Sequence, residues 1–172
     1  GHESVIKNSS YSIKNREWIK RVIHLSGGEP KIYNVLRNQM DAMKEVIENN
    51  HFGASVTTFS KQSTAPIEIA DIDALRKLVD GGVSMISFLG HSAAFRLDYN
   101  VEDVYSYNNK DKYHIFLAMG CYAGQMFENF KSVSEQFNLP PDRGSIIYLA
   151  NTTAGIPSIL GIATAEFYRL IG

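Results

Sequence analysis

One histidine and the only cysteine of the chain stand where they could act as a catalytic pair. His91 follows the apolar run 85–89 after a single glycine, and Cys121 follows the apolar run 115–119 in the same way. A thiol becomes a strong nucleophile when a neighbouring histidine raises its thiolate fraction, and that histidine can later protonate a leaving amine. The pair therefore predicts attack on a carbonyl group, with Cys121 as nucleophile and His91 as acid–base partner.

Small residues surround both positions. Gly90 and Ser92 flank the histidine, and Gly120 precedes the cysteine. Small neighbours let a substrate backbone approach, and N–H groups of such turns can stabilise an oxyanion. The competing interpretation is structural: a free cysteine is most often a small buried apolar residue, and His91 then ends its strand by chance.

A serine nucleophile is a further alternative in the same stretch. The segment 90–94 is one residue away from the G-x-S-x-G elbow of serine hydrolases, with Ser92 as nucleophile. Two observations disfavour it: the residues after Ala94 begin a helix poorly, and the only downstream histidine is His114, which stands at the start of a predicted strand. That position lies at the opposite end of the sheet from Ser92.

Five apolar runs alternate with helical patterns and predict the elements that hold these residues. The predicted strands are 22–25, 55–60, 83–89, 113–119 and 145–150. Apolar residues at spacings of three and four predict helices after Pro30, after an Asp71 cap, after a Ser132–Glu135 capping box, and over 158–171, where Leu160, Ala163, Phe167 and Leu170 would share a face. Strands of this kind predict an α/β fold with three layers and a mostly parallel sheet of about five strands with helices on both faces. Ligands of such sheets bind beyond the carboxyl ends of the strands, where His91 and Cys121 both stand.

Composition narrows the function classes. The chain has 172 residues, with 17 basic and 18 acidic residues and a formal net charge of −1. A nucleic-acid partner is disfavoured because there is no basic excess. No apolar run is long enough for a membrane span, no ligand spacing indicates a metal site, and nothing calls for a cofactor. The chain begins at Gly1 and not at Met, so residues 1–17 are interpreted as a tag remnant and linker or N-terminal extension before a domain at 18–172.

The two strand-end blocks resemble those of the caspase-like cysteine peptidases, and in particular the gingipain-type family. The blocks are MISFLGH at 85–91 and IFLAMGC at 115–121, and the sequence CYAG at 121–124 and the tail ANTTAG at 150–155 followed by Phe167-Tyr168 are also similar. Within that family the likeness is greatest to the gingipain-like domains of type IX secretion sortases and surface proteins. It runs from about Trp18 to the end of the chain.

The resemblance implies a caspase-like fold and a cysteine endopeptidase that hydrolyses peptide bonds with Cys121 and His91. It implies an oxyanion hole built from backbone N–H groups, and a substrate cleft beyond the fifth strand. The oxyanion residues would be Ser92 and Gly120, with the N–H of Cys121, and the cleft residues would be Asn151, Thr152 and Thr153. The family usually has glycine where this chain has Ser92.

Further expectations follow from the resemblance. An orienting acid for His91 is not evident, with Glu29 a candidate, and Asp98 or Asp103 could form an acidic specificity floor but are expected to be solvated loop carboxylates. The protein would be extracellular, on the cell surface or periplasmic, would act on polypeptides, and would belong to a larger multidomain protein. The alternative function is a non-catalytic binding or scaffold module that retains the fold.

Overall fold

The architecture is that of a computed structural model, which describes residues 12–49, 51–64, 72–101, 103–126 and 128–172. Its strands are β1 (Arg21–Ser26), β2 (Ser55–Ser60), β3 (Met85–Leu89), β4 (Ser92–Ala93), β5 (Arg96–Leu97), β6 (His114–Met119) and β7 (Ser145–Ala150). Its α-helices are α1 (Ile13–Arg16), α2 (Tyr33–Ile47), α3 (Ile72–Gly81), α4 (Val133–Asn138) and α5 (Pro157–Ile171), and short 3₁₀ turns cover Glu17–Lys20 and Val104–Ser106.

Five of the strands form one parallel sheet, as the sequence predicted. Their order is β2-β1-β3-β6-β7, and every neighbouring pair is parallel. The two-residue strands β4 and β5 pair antiparallel in a small hairpin directly after β3. From β1 the sheet grows to one side with β2 and to the other side with β3, β6 and β7. Strand β3 is therefore central, and β6 is its neighbour.

Helices cover both faces of the sheet, which confirms the three-layer prediction. Strand residues alternate between the faces, so each face buries its own set of apolar side chains. The core under α3 and α4 includes Leu75, Val79, Ile86, Phe116 and Phe137. The core under α2 and α5 includes Leu36, Met40, Met43, Met85 and Leu117. Both cores include residues of the central strands β3 and β6.

A polar network crosses the core beneath α5. The His24 ring lies 2.7 Å from the Tyr168 hydroxyl, which in turn donates to Ser87 Oγ at 2.7 Å. All three side chains are fully buried. Burial lowers the pKa of His24 to about 4, with a smaller effect in the same direction from Lys44. The imidazole is therefore neutral in the folded protein and ties β1 and β3 to α5.

Two helix predictions are corrected by the structure. Helix α2 begins at Tyr33, because Pro30 lies in the turn before it. In α5 the buried residues are Gly161, Thr164 and Tyr168 and not the predicted row, of which Ala163 and Leu170 are exposed. The reason is that α5 is apolar on several sides, so small residues that allow close packing decide which side faces the sheet.

The remaining helix boundaries agree with their sequence signals where they can be compared. The capping box before α4 is formed: the Ser132 hydroxyl accepts from the Glu135 N–H, and the Glu135 carboxylate accepts from the Ser132 N–H. Asp71, the predicted cap of α3, lies outside the described residues, as does the segment 1–11 of the predicted N-terminal extension.

Strand β7 is an edge of the sheet and is covered less than its sequence suggests. Ile146, Ile147 and Leu149 are each between two-fifths and three-fifths exposed.

No helix in the described part of the chain combines the length and apolar character needed to cross a membrane.

Candidate active site

The strand register brings His91 and Cys121 to the same level of the sheet. Leu89, the last residue of β3, pairs with Met119, the last residue of β6, and the Gly90 N–H continues this pairing by donating to the Met119 carbonyl at 3.3 Å. His91 and Cys121 each follow their paired residue by two positions. The predicted placement on neighbouring strands is therefore what the structure contains.

The Cys121 thiol is half-buried and contacts the loop between β7 and α5. The Gly155 N–H donates to Sγ at 3.4 Å, and Sγ lies 3.5 Å from the Gly155 carbonyl oxygen. An N–H group that points at sulfur stabilises negative charge there. The hydrogen bonds that Sγ makes with described residues both involve Gly155, in the loop between β7 and α5.

His91 and Cys121 border a common cavity of about 70 Å³, which we call the thiol cavity. The His91 side chain is exposed and borders two further cavities, so solvent and ligands can reach its ring. Catalytic contacts in unliganded enzymes are often longer than in the complex. The arrangement is therefore suited to a nucleophile and an acid–base group that meet on a ligand between them.

The residues expected at the oxyanion hole pack tightly between the two strand ends. The Ser92 hydroxyl donates to the Cys121 carbonyl oxygen at 2.7 Å, which connects the two loops. A side chain at Gly120 would clash with Ser92 Oγ and with the Gly90 carbonyl, so only glycine fits there. Ser92 does not have a positive φ, and its backbone conformation is therefore open to serine as well as glycine.

The cleft residues predicted beyond the fifth strand hold the cysteine loop in place. The Thr153 carbonyl accepts from the Tyr122 N–H at 2.9 Å, and the Asn151 carbonyl accepts from the Gly124 N–H at 2.9 Å. Tyr122 adopts a left-handed conformation with φ 57°, which turns the chain sharply after the cysteine. Thr152 and Thr153 are exposed beside this turn.

Two acidic side chains border a cavity of about 270 Å³ on another side of His91, which we call the acidic cavity. Glu29 is exposed there. Asp98 is only 6% exposed, which shows that the expectation of a solvated loop carboxylate was wrong for this residue. Asp103 is exposed, as expected. The difference arises because the β4–β5 hairpin folds back over the ends of β1 and β3 and carries Asp98 with it.

Asp98 is held by three groups around His91. Its Oδ2 accepts from the Gly28 N–H at 2.6 Å and lies 3.5 Å from Lys61 Nζ, while its backbone N–H donates to the His91 carbonyl at 2.9 Å. Burial raises the pKa of the Asp98 carboxyl, and the Gly28 N–H, Lys61 and His91 act in the opposite direction. Its Oδ1 is buried without a hydrogen-bond partner among the described residues and packs against Gly90.

Sequence reasoning gave Asp98 no role beside His91. The spacing of seven residues from His91 would bring the two together on a helix, but this segment begins a helix poorly and forms a hairpin, so the spacing gave no usable signal. The available signal was the short apolar and aromatic stretch around Asp98, which is unusual for a solvated loop. Among the described residues no group of three or more side chains is arranged to hold a metal ion.

Comparison with known proteins gives a family for the whole chain. The profile of peptidase family C25 matches residues 3–171. No curated protein matches the sequence significantly.

Solved structures give the same fold at low sequence identity. The crystal structure of the Arg-specific cysteine proteinase gingipain R (RgpB) is similar over 97% of this chain, with a TM-score of 0.73 and 11% identity. The complex of the Porphyromonas gingivalis RgpB pro- and mature domains is similar over 98%, with a TM-score of 0.74 and 12% identity. A structure described only as a protease is similar over 91%, with a TM-score of 0.70 and 14% identity. The chain spans 40% and 41% of the two gingipain chains and 34% of the third.

Proposed function

The chain belongs to peptidase family C25, and on this premise we propose that it is a cysteine endopeptidase domain, residues 18–172, that hydrolyses polypeptides through Cys121 and His91. The observation that carries the proposal is the juxtaposition at the sheet edge. The two side chains follow paired residues of neighbouring strands and border one cavity. A thiol and an imidazole that border one cavity can perform acyl transfer to sulfur.

The proposed reaction has two steps. His91 takes the proton of the Cys121 thiol, and Sγ attacks the peptide carbonyl carbon to give a tetrahedral intermediate. The C–N bond then breaks as His91 protonates the departing amine, which leaves a thioester on Cys121. Water, deprotonated by His91, attacks the thioester, and the free acid and thiol are released. The backbone N–H groups of Ser92, Gly120 and Cys121 are proposed to stabilise the oxyanion.

We assign Asp98 as the positioning residue for His91. It is buried, it interacts electrostatically with His91, and it has one oxygen free of hydrogen bonds to described residues. A carboxylate in this position stabilises the imidazolium that forms during catalysis. Glu29, the acid expected from the sequence, borders the same acidic cavity but is exposed, so water screens its charge.

The experiment is cleavage of a random peptide library by the protein and by Cys121→Ala. We expect cleavage by the parent only, together with covalent labelling of Cys121 by a peptidyl chloromethyl ketone. The absence of both cleavage and labelling, with retained binding of peptides, would instead support a non-catalytic binding module. Cleavage that survives Cys121→Ala would contradict the assignment of the nucleophile.

The setting of the enzyme is proposed from the resemblance. Gingipain-like domains of type IX secretion sortases and surface proteins imply an extracellular, cell-surface or periplasmic protein with further domains. A free thiol used in catalysis is compatible with such a location. Fractionation of the source cells, followed by detection of the protein with an antibody, tests it.

A further inference from the structure

The thiol cavity has a chemical character that differs from the rest of the site. Its walls come from the start of α2, the ends of β3 and β6, and the start of α5. The described residues that line it are Ile32, Leu36, Leu89, Gly90, His91, Met119, Cys121, Gly155, Pro157 and Leu160. Apart from His91 and Cys121, the side chains that line it are apolar, and none of the described lining residues is acidic.

The carboxylates nearest to the site are directed elsewhere. Asp98 and Glu29 border the acidic cavity, which His91 shares but Cys121 does not. The Asp98 carboxylate is already bound by the Gly28 N–H and by Lys61. A basic side chain inside the thiol cavity would therefore lose its hydration and find no carboxylate on these walls, which is unfavourable.

The position of the two cavities relative to Cys121 and His91 distinguishes the two sides of a bound peptide. The side chain on the acyl side branches from the atom bonded to the attacked carbonyl carbon, so it must lie against the thiol. The leaving amine is protonated by the histidine, so the residues that follow it extend past His91. The thiol cavity, which includes Cys121, fits the first requirement, and the acidic cavity fits the second.

We propose that the thiol cavity binds the side chain on the acyl side of the cleaved bond, the P1 residue, and selects small to medium aliphatic residues over arginine and lysine. This inference rests on the proposed function. A site for one water molecule needs about 10–15 Å³, so a cavity of about 70 Å³ admits a few heavy atoms. Alanine, valine and leucine fit this size, and aromatic rings exceed it.

Leu160 controls the size of the cavity. It is half-buried at the start of α5, and its Cδ1 lies so close to Gly155 that a side chain at that position would clash with it. Leu160 thus lines the cavity beside the glycine that contacts the thiol. Truncation of Leu160 should enlarge the cavity, and a carboxylate in its place should reverse the charge preference.

The first test is a set of peptidyl aminocoumarin substrates that differ only at P1, in which the peptide lies on the acyl side and the same aminocoumarin is always the leaving amine. We expect kcat/KM for valine, leucine or alanine to exceed that for arginine and lysine by about a hundred-fold or more. Preference for arginine or lysine would overturn the inference and leave the proposed function standing. Equal rates for all residues, with selectivity appearing only at P1′ in longer peptides, would also overturn it.

The second test uses variants of α5. Leu160→Ala should shift the preference toward phenylalanine. Leu160→Asp should gain activity on arginine substrates by about ten-fold or more, whereas the neutral Leu160→Asn should not. Ile162→Asp is the matched control, since Ile162 is 69% exposed on the same helix and does not line the cavity. An unchanged P1 profile in a folded Leu160→Ala variant would place the P1 side chain elsewhere.

A third measurement separates failure of the inference from failure of the function. Iodoacetamide alkylates a reactive thiol without a P1 group, and peptidyl chloromethyl ketones do so with one. If iodoacetamide labels Cys121 and valine ketones label it much faster than arginine ketones, the inference is supported even without turnover. If the two ketones label equally, the inference fails. If no substrate is cleaved and no ketone labels Cys121, the proposed function fails with it.

Discussion

The interior of the sheet and its carboxyl edge use histidine in opposite ways. His24 lies within β1 and His114 opens β6, and both are fully buried. Burial lowers the pKa of His24 to about 4 and that of His114 to about 3, so both rings are neutral; His24 hydrogen-bonds to Tyr168, and His114 packs against aromatic rings. His91 stands two residues beyond β3, is exposed, and borders three cavities. The difference lies in burial: a ring inside or at the start of a strand is enclosed by the core, whereas a ring beyond the carboxyl end of a strand is open to solvent.

The largest expected effect is at His91, beyond the carboxyl end of β3. His91→Ala should lower peptide cleavage, and the rate of Cys121 alkylation near neutral pH, by about 10²- to 10⁴-fold, because the acid–base group is lost. The rates of peptide cleavage and of Cys121 alkylation are measured for His91→Ala and for the control His51→Ala. His51 is an exposed histidine in a turn after α2. Equal losses of activity in His91→Ala and His51→Ala would contradict a specific role for His91.

The interior histidines should instead govern stability in acid. Their pKa values lie below the unfolded value of about 6.5, so the unfolded chain binds protons first and unfolding becomes easier as pH falls from about 6.5 toward 4. At about 1.4 kcal/mol per pKa unit, the depression of His24 to about 4 corresponds to about 3 kcal/mol. Urea unfolding at pH 7 and pH 4.5 measures the loss.

A variant of His114 tests whether buried histidines cause the loss of stability in acid, and it leaves the candidate active site unchanged. Both ring nitrogens of His114 lack hydrogen-bond partners among the described residues, and the ring packs against Phe116 and Phe137. His114→Leu should therefore be close to neutral for stability at pH 7 and should reduce the loss in acid. A steeper loss would show that His114 is protonated in the folded protein.

A smaller effect is expected at Asp98, which links the edge to the interior. Asp98→Asn should lower kcat/KM by roughly ten-fold, equivalent to about 1.4 kcal/mol, and move the acidic limb of the pH–rate profile to lower pH, because the imidazolium loses a nearby negative charge. A purely structural role would change activity without moving the profile. Glu29→Gln is the matched control, and a shift in that variant alone would make Glu29 the positioning acid.

The smallest effect is expected at Ser92. Ser92→Gly and Ser92→Ala both remove the hydrogen bond to the Cys121 carbonyl, at a cost of about 1 kcal/mol in the free energy of unfolding. Cleavage should change only a few-fold, because the backbone N–H remains. Thermal unfolding and kcat/KM measure the two quantities. Loss of ester hydrolysis in Ser92→Ala but not in Cys121→Ala would make Ser92 the nucleophile.

The sequence predicted most of the fold because the fold depends on patterns that the sequence displays. Five apolar runs and the Ser132 capping box were sufficient for the parallel sheet and for α4. The prediction that His91 and Cys121 lie together followed from their places after two strands. The face of α5 was predicted wrongly because its apolar residues surround the helix, so that periodicity gives no unique side.

The parts that could not be predicted depend on contacts between distant segments. Asp98 reaches His91 only because the β4–β5 hairpin folds back, and its buried partner Lys61 lies beyond β2, far away in the chain. The thiol cavity combines Leu36, Met119 and Leu160 from three separate elements. No local pattern of residues encodes such an assembly, since each contact depends on how helices and loops settle on the finished sheet.

The pairing of Leu89 with Met119 has a consequence for how this domain can diverge. Because main-chain hydrogen bonds set the level of the two strand ends, the relative position of His91 and Cys121 is independent of most side chains in the connection from β3 to β6. Insertions or substitutions at the exposed positions of that connection leave His91 and Cys121 in register. Such a scaffold tolerates extensive sequence change while its geometry persists, in keeping with TM-scores above 0.7 at 11% and 12% identity.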